Sequence, residues 1–106
     1  MIQASRRLTA SNEAQLIDRA VQRIAEGKYK VEVEQDVPVY YFEADVSAMA
    51  FMMSLGKMGV TTVVDRPGQV VKVGQDTVIS LKTRSGIRMS MQIDKRGFLD
   101  VITMSK

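Results

Sequence analysis

Apolar and polar positions separate at helical spacing along residues 12–26. At about 100° per residue, Ala14, Leu16, Ile17, Ala20, Val21, Ile24 and Ala25 occupy one half of the wheel. Gln15, Asp18, Arg19, Gln22, Arg23 and Glu26 occupy the other. Ser11 or Asn12 stands where an N-cap belongs, and Gly27 where a helix stops. The pattern predicts an amphipathic helix lying on a core.

The period then changes to two. Tyr29, Val31 and Val33 alternate with Lys30, Glu32 and Glu34, which reads as a half-buried strand over 28–34. Gln35-Asp36-Val37-Pro38 breaks it, and 39–44 reads as a second strand. From Val46 to Met58 the helical period returns, but the apolar arc widens to roughly 240°. Only Ser47, Ala50, Ser54 and Lys57 fall outside it. Such a helix needs cover on two sides. A sheet supplies one and the first helix part of the other, which leaves a strip that includes Met49 and Met53. Methionine fills irregular core gaps and also suits adaptable binding surfaces. Asp45 stands at the N-cap of this helix and Gly59 at its end.

Short strands follow at 60–64 and 70–73, separated by an Arg66-Pro67-Gly68 turn, with Gly74-Gln75-Asp76 turning again. The remaining residues read as a meander of strands 77–84, 88–94 and 98–104. Parity requires an odd-numbered loop in its first hairpin, and Ser85-Gly86-Ile87 satisfies it. That register sets Leu81 opposite Met91 and Arg84 opposite Arg88, two like charges that cost stability. Lys95-Arg96-Gly97 reads as the next loop. It turns Leu99 and Val101 inward and Phe98, Ile102 and Met104 outward, beside Lys82, Arg84 and Arg88. The predicted fold class is α+β: two helices packed on a mainly antiparallel sheet ending in a three-stranded C-terminal meander. Residues 1–106 make one compact domain, with 1–10 as a loose arm or a short edge strand carrying Arg6 and Arg7.

Composition narrows the activity. Apolar residues at 45% and charged residues at 25% are the balance of a folded domain, not of a disordered tail. With no cysteine or histidine in 106 residues, Ser–His and Cys–His hydrolysis, thiol chemistry and Cys- or His-built metal sites drop out. Glu43 and Asp45 are carboxylates without a recognisable catalytic partner, and no glycine-rich phosphate loop occurs. The expectation is a protein without catalytic residues, cofactor or metal. No stretch has the length and apolarity of a membrane span or a signal peptide, so the expected compartment is the cytoplasm, with no membrane partner.

The net charge of +3 is unevenly distributed. Residues 1–27 carry +1, residues 28–46 carry −3, 47–76 carry +1 and 77–106 carry +4. Two readings follow. One is a small protein-binding module, an adaptor or an inhibitor acting by occlusion, with a protein or a second copy of itself as partner. It would use the apolar strip at Met49 and Met53 and the outward Phe98, Ile102 and Met104, together with a basic hairpin tip. The other is a nucleic-acid binder built on Lys82, Arg84, Arg88, Lys95 and Arg96, with Tyr40, Tyr41 and Phe42 as stacking surface. The modest net charge and the acidic 32–45 stretch weigh against the second reading, and the first is preferred.

Overall fold

The computed structural model describes residues 10–65 and 70–105. The first helix, α1 (Ala10–Ala25), already contains Ser11 and Asn12, so neither caps it. Ile17, Ala20, Val21 and Ala25 are buried along its apolar face. Glu26 and Gly27 then take positive φ and end the helix, with the N–H of Lys28 donating to the carbonyl of Ala25 at 2.8 Å. The 1–10 arm and the Arg66-Pro67-Gly68 turn lie outside the described residues, apart from Ala10 in α1.

Strands β1 (Tyr29–Glu34) and β2 (Val37–Phe42) form a tight hairpin. Its two central residues, Gln35 and Asp36, both have positive φ (54° and 64°), as a type I′ turn demands. The break therefore takes only 35 and 36, and Val37 and Pro38 belong to the second strand. β1 is not half-buried as its alternation predicts. It stands at the sheet edge, where only Tyr29 packs against the core and Val31 and Val33 are 46% and 71% exposed.

Helix α2 (Ala48–Lys57) starts two residues later than predicted. Its N-cap is Ser47, not Asp45: the Ser47 hydroxyl accepts from the N–H of Ala50 at 3.2 Å. The helix closes in a Schellman motif. Val60 N–H donates to Leu55 and Gly59 N–H to Gly56, both at 3.0 Å, and Gly59 sits at φ 85°. Val60 and Leu55 are both buried there.

The short strands β3 (Thr62–Val64) and β4 (Val71–Val73) both pair with β5 (Asp76–Thr83). They are two halves of one edge, with residues 66–69 between them. β6 (Arg88–Ile93) and β7 (Leu99–Ser105) complete a seven-stranded antiparallel sheet in the order β1-β2-β7-β6-β5-β3, with β4 beside β5. The fold is α+β with the C-terminal meander expected.

Both helices cover one face. Phe51 and Leu55 of α2 and Ile17 and Val21 of α1 join Tyr40, Leu81, Met89, Met91, Leu99, Ile102 and Met104 in one buried cluster. On the opposite face Val39, Thr103, Ser90 and Ser80 form a row across four strands, with Tyr41, Val101, Gln92 and Val78 as the next row.

Two registers differ from the sequence expectation. The β5–β6 loop has the odd length that parity requires, but it is Arg84-Ser85-Gly86. Thr83 N–H donates to Ile87 O at 2.8 Å and Gly86 carries the positive φ of 99°. Arg88 therefore faces Lys82 instead of Arg84, and Asp65 bridges Arg88 at 3.5 Å to offset the like charge. The second difference is larger. Leu99 faces Ile93 as expected, but the β6–β7 register then shifts by one residue, so that Ile102 faces Met91 and Met104 faces Met89. The extra residue, Asp100, inverts every later side chain of β7. Ile102 and Met104 are core, 0% and 5% exposed, and the outward placement predicted for them is incorrect.

Candidate partner-binding surfaces

The apolar arc of α2 divides into three parts. Phe51 and Leu55 are fully buried, Met52 and Met58 pack partly against the core, and Met49 and Met53 are 73% and 58% exposed. The two exposed methionines are four residues apart and so share one line on the helix surface. Beside them runs a shallow groove between the helices, lined by Ile24, Ala50, Met53, Ser54 and Met58, and also by Arg23 and Lys57. Among the described residues neither Arg23 nor Lys57 makes an ion pair. Arg23, Ile24 and Lys57 were not candidates from sequence, since on isolated wheels Ile24 belongs to the core face and the two cations are ordinary polar positions. Only the α1–α2 contact brings them together.

The basic candidates do not form one surface. Lys82, Arg84 and Arg88 lie at the tip of the β5–β6 hairpin, where the Ser85 hydroxyl donates to the buried Glu13 carboxylate in the first turn of α1. Lys95 and Arg96 lie at the far end of β6, roughly 17 Å away at a strand rise of about 3.3 Å per residue. Arg96 is also occupied. Its guanidinium contacts Asp94 at 3.1 Å and Asp45 at 3.4 Å and stacks over the Phe98 ring at 4.8 Å. Phe98 is half-buried in this arrangement. It sits in the loop that receives the start of α2, where Ala48 N–H donates to Gly97 O at 3.0 Å. The tip and the methionine strip are separate too: Glu13 and Arg23 stand roughly 15 Å apart at a rise of about 1.5 Å per residue along α1.

The aromatic run is committed to the fold. Tyr40 is buried and its hydroxyl donates to Asp18 at 2.8 Å. Burial first, and then that carboxylate, push its pKa above the ordinary tyrosine value. Phe42 packs against the core. Tyr41 donates to Glu34, which raises its pKa as well.

Carboxylates gather at the Arg96 end of the sheet. The N–H of Phe98, donating to Asp94 at 3.0 Å, holds that carboxyl below its usual value, with the Arg96 N–H and guanidinium assisting. Asp100, the bulge residue, moves the other way. A hydrogen bond shared with Asp76, then burial and the Asp76 and Asp94 charges, raise its pKa to about 6. An unfolded Asp titrates near about 3.9. The folded chain thus prefers protonated Asp100, and this contribution to stability is full below about pH 4 and lost as pH rises through about 6. Asp100→Asn should raise Tm at pH 7 by about 1–3 °C and flatten its fall between about pH 5 and 7, as thermal melts would read. Among the described residues no group of three or more acidic side chains is placed to hold a metal ion, and no helix is long and apolar enough to cross a membrane.

No protein-family model, curated protein or solved structure matches the chain.

Proposed function

We propose that the protein is a non-catalytic, cytoplasmic protein-binding module, an adaptor or inhibitor that acts by occluding the surface it covers. The observation that carries this reading is the pair Met49 and Met53, exposed along one line of α2, with Met53 lining a groove between the helices that Arg23 and Lys57 also line. The flexible thioethers of Met53 and Met58, beside Ile24 and Ala50, accommodate partner side chains of several shapes. The two cations favour a partner segment that carries carboxylates next to its apolar residues. Lys82 and Arg84 at the hairpin tip would add a second, electrostatic contact. A nucleic-acid partner has less support, because the cations fall at two ends of the sheet, Arg96 is engaged internally and Tyr40 is buried.

Replacing both Met49 and Met53 with Gln tests the reading. Exposed positions should tolerate the change with little loss of Tm, while association with the natural partner, isolated from the native cell after nuclease treatment, should weaken about tenfold or more. A lower Tm with unchanged association would reduce the strip to part of the core.

A further inference from the structure

Among the described residues, strand β1 ends the sheet. The backbone decides which groups are available. Glu43 N–H donates to Lys28 O at 2.9 Å, so 28 and 43 are a hydrogen-bonded pair. By the alternation of an antiparallel ladder, 30 with 41, 32 with 39 and 34 with 37 are hydrogen-bonded pairs too. The N–H and C=O groups of Tyr29, Val31 and Val33 therefore point away from β2, out of the sheet edge. An antiparallel partner strand would meet them with pairs at those three positions.

We propose that two copies of the chain pair through β1, antiparallel, about a two-fold axis at Val31. In this register Val31 faces Val31 of the second copy, and Tyr29 faces Val33. These are the positions with free backbone groups, so about six inter-chain hydrogen bonds form. On the other face Lys30 lies opposite Glu32 of the second copy, and Lys28 opposite Glu34. Every cross-pair is apolar with apolar or cation with anion.

The neighbouring registers lack this match. A two-fold at Glu32 sets carboxylate against carboxylate, and one at Lys30 sets ammonium against ammonium. Shifts by a single residue leave the free groups of one strand opposite the committed groups of the other. The exposure of Val31 and Val33 on the helix side is what this pairing relieves, since the second copy's Val31 and Tyr29 would lie against them. The plainer account of the same residues is that alternating Lys and Glu guard an edge against association. That account asks for charge, not for a self-complementary order of charge. The inference does not rest on the docking reading, because the methionine strip takes no part in it.

Sedimentation velocity across a concentration series tests it, with charge reversals on the full chain. Wild-type protein should shift from monomer toward dimer as concentration rises. Lys30→Glu alone and Glu32→Lys alone each create two like-charge contacts by symmetry and should weaken dimerisation about tenfold or more. Both changes in one chain restore the opposite-charge pairing and should restore the dimer. Mixing the two single variants should give a heterodimer that neither forms alone. Both side chains are exposed, and circular dichroism establishes that the variants are folded. A wild-type chain that stays monomeric throughout would overturn the proposal. So would a dimer indifferent to the single reversals, or one abolished by Met49→Gln and Met53→Gln instead, or single variants that remain monomeric when mixed.

Discussion

Replacing Phe51 with Asp should leave the chain without a cooperative thermal transition. Phe51 is fully buried at the centre of α2, within the cluster that joins both helices to the sheet. The substitution removes one of the largest buried side chains and puts a carboxylate among apolar groups with no cation beside it. Losing the ring alone costs about 3–5 kcal/mol, and an unpaired buried charge adds several more unless it takes up a proton. The sum rivals the whole stability of a domain this size, about 5–15 kcal/mol. Far-UV circular dichroism during heating would read the outcome. A sigmoidal melt near the wild-type temperature would mean that α2 does not present this face to the sheet.

The second large effect discriminates between adjacent residues of β7. Ile102→Ala should cost about 2–5 kcal/mol, because Ile102 is fully buried opposite Met91. Val101→Ala should cost less than about 1 kcal/mol, since Val101 lies beside Gln92 on the face without helices. Chemical denaturation of the two variants measures the contrast. The reverse order would remove the bulge at Asp100 and return Val101 to the core.

That pair of residues also marks where the sequence stops being legible. Periodicity located the two helices and seven strands of the described residues, because side-chain direction follows the period of the local backbone. It placed Phe51 and Leu55 in the core and left Met49 and Met53 on the uncovered arc. It failed where one residue alters parity. A bulge leaves no compositional trace at Asp100, yet it reverses Ile102 and Met104 and removes them from the predicted binding surface. The one-residue slip of the β5–β6 loop keeps parity but changes the partners: the left-handed third position of a three-residue loop falls on Gly86 in the observed loop and on Ile87 in the expected one. Alternation in β1 likewise could not say how far the core reaches along the strand, so Val31 and Val33 read as half-buried when they are not. The groove lined by Arg23 and Lys57 depends on how α1 meets α2, and no local pattern encodes that contact.

The docking reading is tested most directly by a photo-crosslinking side chain placed in turn at positions 49 and 53 on the strip and at 78 and 92 on the opposite sheet face, in the native cell. If the strip is the docking surface, illumination should yield a discrete, nuclease-resistant protein adduct from 49 and 53 and none from 78 and 92. Adducts formed from 78 and 92 but not from 49 and 53, or adducts that disappear with nuclease, would contradict it.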